Sequence, residues 1–244
     1  MALSSNTLFH FTNKTALFGI LKDKFKIKYC LETIETHSKP FEFGIPMVSF
    51  CDIPLSEVKD HMSKYGSYGI GMKKNWAKKN GLNPVLYIDQ NSSLIRSYHH
   101  IYNNLLESTF ILSLNENDQN LVNILRYFKN YQADLKRKNG SITKDYKFAD
   151  EREWRYVPEA KEIQMMLSPK NYRRIELLND LKKPLENLRL NFDINDIAYI
   201  IINDESEILD LIVHVKKIFR NVDIIAIESL ISKILTKDQI HSDF

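Results

Sequence analysis

The chain has 244 residues, 43% of them hydrophobic and 27% charged, which supplies a core for one largish domain or two small ones and excludes a disordered or fibrous protein. Only 7 Gly and 7 Pro are present, no period of roughly twenty to fifty residues recurs, and no apolar run nears the roughly 18 residues of a membrane span. A repeat array and a membrane partner are therefore not expected, and the formal net charge of +3, from 34 basic and 31 acidic residues, permits nucleic-acid contact without requiring it.

Met1 to Asn6 lacks the basic region and apolar stretch of a secretion signal, and two cysteines, Cys30 and Cys51, are too few for a disulfide scaffold. The expected compartment is the cytoplasm. Leu8 to Thr12 alternates like a strand, and Asn13 can cap a helix with Ala16, Leu17, Ile20 and Leu21 at helical spacing. Lys26 to Leu31 and Ile45 to Phe50 follow as strands, the latter started by Pro46, and Leu55 to Lys64 reads as a helix closed by Gly66. Tyr68 to Met72 and Val85 to Ile88 are extended. Apolar residues every three or four positions predict helices over Ser93 to Phe110 and Leu121 to Leu135, a helical insertion at about 93–138. A strand from Lys147 to Val157 comes next, then helical stretches broken by Pro169 and Pro184. Ile197 to Ile202 reads as a central strand and Glu205 to Phe219 as an amphipathic helix. Asp223 to Ile227 is expected as a strand and Ser229 to Leu235 as a closing helix. The sum is one α+β domain spanning 1–244.

Asp150 to Tyr156 is the densest run of ionisable and aromatic groups. On a strand, Glu151, Glu153 and Arg155 share one face. Two carboxylates and a guanidinium in a row can hold a hydroxyl and stabilise positive charge on a sugar ring, as in glycosyl transfer. An exposed face of ion pairs accounts for the same residues. His10, between Phe9 and Phe11, shares a face with Thr12, and the pair can bind a ribose or pack at the core edge. Ser49 lacks a Gly-x-Ser-x-Gly context and reads as a hydrogen-bonding residue. Gly69 and Gly71 alternate on their strand and leave room for a flat ligand or a neighbouring strand, while Tyr65 and Tyr68 can stack on an aromatic ring or pack in the core. His99 and His100 diverge by about 100° on a helix, and no metal is expected there. The basic cluster Arg126, Lys129, Lys136, Arg137 and Lys138 can follow a phosphate backbone or form a solvated helix face.

Leu8 to Thr12, Pro46 to Pro54 with its Asp52-Ile-Pro end, His61, Tyr65 to Gly71, Glu151 to Arg155 and the strand after Asp196 together resemble the AbiGi-type abortive-infection proteins of bacterial phage defence. More distantly the pattern is similar to the ADP-ribosyltransferase fold, a split mixed sheet around an NAD groove. That resemblance implies a phage-defence toxin that transfers ADP-ribose from NAD, its co-substrate, to nucleic acid, RNA favoured, under control of a neutralising antitoxin protein. It implies that Glu153 holds the nicotinamide ribose and stabilises the oxocarbenium-like transition state while Glu151 orients or deprotonates the acceptor. His10 with Thr12 would bind a ribose hydroxyl, Ser49 and Phe50 would support the nicotinamide side, Tyr65 and Tyr68 would wall it, and Arg155 would contact the cofactor. The alternatives are a non-catalytic binding or antitoxin-like module, protein ADP-ribosylation and plain NAD hydrolysis.

Overall fold

Asn13 divides the first strand from the first helix, and its Oδ1 accepts a hydrogen bond from the Ala16 amide at 2.9 Å, as a helix N-cap requires. The computed structural model describes residues 4–37, 39–107, 115–136, 140–159 and 163–243. In chain order these form β1 (Thr7–Thr12), α1 (Lys14–Asp23), β2 (Phe25–Lys26), β3 (Lys28–Ile34), β4 (Phe41–Cys51), α2 (Val58–Tyr65), β5 (Tyr68–Lys73) and α3 (Lys74–Lys79). Then come β6 (Asn83–Pro84), β7 (Leu86–Ile88), α4 (Ser93–Glu107), α5 (Glu116–Leu125), β8 (Phe128–Asn130), β9 (Ala133–Lys136), β10 (Ile142–Tyr146) and β11 (Glu153–Tyr156). The chain ends with α6 (Pro169–Arg173), α7 (Asn179–Glu186), β12 (Arg189–Leu190), β13 (Ile197–Ile202), α8 (Ile208–Ile218), α9 (Ile224–Ile231), β14 (Ile234–Thr236) and α10 (Lys237–Asp243). Among the described residues no helix is long and apolar enough to cross a membrane.

The chain divides into two compact units: Met1–Lys26 with Ser49–Leu82 and Arg189–Phe244, and Ile27–Val48 with Asn83–Leu188. In the first unit, β1 pairs antiparallel with β5 (His10 opposite Ile70), β5 antiparallel with β13, and β13 parallel with β14, so its sheet is mixed. Phe9 opposite Cys51 attaches the end of β4 to β1. One buried cluster unites Phe9, Cys51, Ile53, Val58, Met62, Ile201 and Ile240. The rings of Phe9 and Phe11 lie over Gly71 and Gly69, filling the room that the sequence left open for a ligand or strand.

In the second unit, β3 runs antiparallel to β4 from Lys28 opposite Met47 to Ile34 opposite Phe41. The sheet continues from β4 to β11 and from β11 to β6. The core sets Phe41, Phe43, Ile45 and Met47 of β4 against Ile95, Tyr98 and Tyr102 of α4 and Val122 and Leu125 of α5.

Several expectations are corrected. The predicted helix Leu121 to Leu135 stops at Leu125, because Leu86, Tyr87 and Ile88 form a parallel ladder with Phe128, Lys129 and Asn130; the inserted segment is thus not wholly helical. The three-residue step from Leu125 to Phe128 imitates helical periodicity, and tertiary pairing overrides it. Residues 108–110 of the other predicted helix lie outside the described residues. Pro46 sits inside β4, opposite Tyr29, rather than at its start. Pro169 starts α6 and Pro184 lies inside α7. At the C-terminal end the order is reversed: Ile224–Ile231 is the helix, burying Ile227 and Leu230, and Ile234–Thr236 is the strand.

Gly66 follows α2 at φ +123°, and a Cβ there would stand 2.2 Å from the Thr12 carbonyl oxygen. Gly66→Ala is expected to cost about 1–3 kcal/mol through a strained φ and this backbone clash, read as a lowered midpoint in urea unfolding.

Candidate functional site

Arg155 and Glu153 project from the same face of β11, and both are buried. The Arg155 Nε–H donates to Glu153 Oε1 at 2.7 Å, and its Nη2 lies 3.2 Å from Glu153 Oε2 and 2.9 Å from Glu32 Oε2 of β3. Its Nη1 donates to the Arg126 carbonyl at 2.8 Å. The Lys129 ammonium completes the group, 3.5 Å from an oxygen of both Glu32 and Glu153 and 4.9 Å from the centre of the Phe148 ring. Two carboxylates thus face two cations inside the second unit. Burial alone would raise the pKa of Glu153, but the Arg155 guanidinium and the Lys129 ammonium outweigh it and hold the carboxyl down, from 4.5 to about 2.

Glu151 does not share this face. Phe148–Glu151 is a 3-10 turn, and Arg152 at φ +47° redirects the backbone before β11 begins, so the predicted strand Lys147 to Val157 shrinks to Glu153–Tyr156. Glu151 is buried and accepts from the Tyr146 hydroxyl at 3.0 Å. Arg155, expected as a cofactor contact, has no exposed surface. It is an interior residue here, with all three guanidinium nitrogens bonded to groups of its own chain.

The remaining predicted residues lie in the first unit. His10 Nδ1 is 2.8 Å from the Ser49 carbonyl oxygen, so the Nδ1–H donates and Nε2 carries the lone pair. The ring packs against Phe25 (5.4 Å) and Phe50 (5.6 Å), and Phe25 and Phe50 in turn pack against Trp76. Burial lowers the His10 pKa, opposed by the Ser49 carbonyl. Phe50 is buried in this aromatic cluster and Thr12 pairs with Tyr68 at the ends of β1 and β5. The Tyr68 hydroxyl lies 2.8 and 2.9 Å from the two carboxylate oxygens of Glu207, which also pairs with Lys14 at 3.0 Å. Burial first and then Glu207 push the Tyr68 pKa up to about 12. Tyr65 is exposed, its ring 5.9 Å from His61. The structure therefore gathers His10, Ser49 and Phe50 in one cluster, and Glu153 with Arg155 in another.

Sequence reasoning missed Glu32 and placed Lys129 in a basic cluster read as a phosphate-tracking surface or a solvated helix face. Of the basic cluster, Arg126 is buried, Lys129 joins the carboxylates, and Lys136 pairs with Glu35 at 3.0 Å; Arg137 and Lys138 lie outside the described residues. These described members do not form an open cationic track. Asp52 of the Asp-Ile-Pro motif also has a structural task, accepting from Lys74 Nζ at 2.8 Å and from the Ser4 hydroxyl at 2.9 Å.

These features define an α+β protein with mixed sheet, whose best candidate for a catalytic carboxylate is a member of a buried ion-pair group. The family described as "Putative abortive phage resistance protein AbiGi, antitoxin" matches residues 23–203, and the chain belongs to that family. A curated relative, "Abortive phage resistance protein AbiGi" of Lactococcus lactis subsp. cremoris, is 29% identical over 236 residues, covering 83% of this chain and 90% of that protein. No solved structure matches.

Glu153→Gln should destabilise the protein at neutral pH by about 3–5 kcal/mol, since it leaves Arg155 and Lys129 under-compensated in the interior. Because the folded pKa of Glu153 is depressed, its contribution is complete above 4.5 and is lost as pH falls towards 2. Acid titrations of unfolding free energy should show that loss in the wild type and a flatter profile in Glu153→Gln.

Proposed function

We propose that this protein is the antitoxin of an abortive-infection phage-defence pair and acts by binding a protein toxin, without chemistry of its own. The observation that carries the non-catalytic part is the state of Glu153. Both its oxygens are engaged by Arg155, one is also near Lys129, and its side chain is only 7% exposed. A carboxylate that stabilises an oxocarbenium-like sugar must face the substrate. Turning Glu153 outward would break a buried charge group at a cost of about 3–5 kcal/mol. The family's description as an antitoxin supports the same reading.

The competing reading is the NAD-dependent transferase toxin with a nucleic-acid acceptor, for which Glu153, Glu151 and His10 were the expected residues. Induction in a bacterial culture separates the two. An antitoxin expressed alone leaves growth and cellular NAD unchanged, and co-expression with the toxin of its own defence locus restores growth that the toxin arrests. Growth arrest with falling NAD on expression of this chain alone, abolished by a folded Glu153→Gln variant, would overturn the proposal in favour of the transferase.

A further inference from the structure

Beyond the end of β3, Thr36 and His37 form a cleft with one face of α4, lined further by Ile95, Arg96, His99, His100 and Asn103, with a volume of about 460 Å³. The α4 residues Arg96, His99, His100 and Asn103 recur at helical spacing, so they present one continuous polar face. Among the described residues, the titratable groups lining the cleft are an arginine and three histidines, with no carboxylate. Among the described residues Arg96 makes no ion pair, which leaves its guanidinium fork open to an anion. Asn104 Nδ2 lies 3.3 Å from His100 Nε2, an arrangement in which the amide donates and Nδ1 keeps its hydrogen for a ligand.

The cleft also has an aromatic wall. The His99 ring lies parallel to Phe41, 5.5 Å between centroids and 3° between planes, and Phe41 stacks further on Tyr98 and Tyr102 at 4.9 and 4.8 Å. Phe41 occupies one side of the imidazole while His99 still lines the cleft. A guanidinium and an imidazole N–H beside a flat ring suit a ligand that carries both a phosphate and a planar base. The volume lies within the roughly 300–1,000 Å³ of small-molecule sites, and a bare phosphate would occupy little of it. Among the described residues no group of three or more His, Cys, Asp or Glu is placed to hold a metal ion.

We propose that this cleft binds a nucleotide, its phosphate held by Arg96 and His100 and its base stacked on His99, with His37 and Asn103 available to the phosphate and base edges. The site shares no residue with the Glu153 group and does not depend on the antitoxin reading. The same nucleotide chemistry can come from a free nucleotide or from one unit of a single strand.

The test uses the full chain at about 0.15 M salt, with calorimetric titration of adenosine monophosphate and of inorganic phosphate, and fluorescence anisotropy of a labelled uridine hexanucleotide. Binding of either nucleotide probe more tightly than inorganic phosphate is expected. Arg96→Ala and His100→Ala, both at exposed positions, should each weaken it, the former about tenfold or more, while Lys79→Ala on α3 leaves it unchanged. Binding of the monophosphate alone identifies a free nucleotide, and binding of the hexanucleotide alone identifies a strand. Failure of both probes, affinity for inorganic phosphate equal to that for the monophosphate, or affinity untouched by Arg96→Ala and His100→Ala in folded variants would overturn the proposal.

Discussion

A guanidinium with no exposed surface imposes a strict requirement, and the second unit is arranged around meeting it. Arg155 cannot lose its charge, so its donors must all find acceptors inside the protein. Glu153, two residues earlier on the same strand face, takes the Nε side; Glu32 from β3 takes part of Nη2; the carbonyl of Arg126, just beyond α5, takes Nη1. These contacts come from segments far apart in sequence. A slip of one residue in β11 would turn Arg155 and Glu153 to the opposite face, taking the guanidinium from Glu32 and the Glu153 carboxylate from Lys129. The group therefore specifies register more than it adds stability, since moving four charges out of water offsets much of their attraction.

This constraint also bears on function. A carboxylate whose charge is neutralised by an arginine and a lysine is held as a counter-ion, and its depressed pKa follows from the same two neighbours. The carboxylate that looks most catalytic in the chain is thus a member of a buried ion-pair group. Asp52 behaves likewise, its buried pairing with Lys74 tying the Asp-Ile-Pro segment to the start of α3. In the first unit His10 is engaged by a backbone carbonyl and two phenylalanine rings. Conspicuous polar residues of both units are thus engaged by partners within the chain.

The charged side chains left accessible are distributed differently. Among the described residues the cleft beside α4 is lined by Arg96 and three histidines with no carboxylate, backed by stacked rings from β4 and α4. Lys129 and Arg155 pair with buried carboxylates inside the second unit, whereas among the described residues Arg96 makes no ion pair. The contrast comes from packing rather than residue type, because Arg126 and Arg96 have the same chemistry and opposite exposure.

Local signals were legible where one short segment settled the outcome. Asn13 capping α1, Gly66 closing α2, the apolar run Ile197–Ile202 as an inner strand and the common face of Glu153 and Arg155 could all be read from neighbours within a few residues, because caps, positive φ and strand alternation are local properties. The strand Phe128–Asn130, the exchange of helix and strand after Asp223, the passage of Pro46 through β4 and the division into two units depend on partners distant in the chain. So does the meaning of Glu153. Its face was local information, but whether that face met a ligand or an interior arginine, a lysine and a glutamate from β3 was decided only when residues more than a hundred positions apart were brought within hydrogen-bonding range.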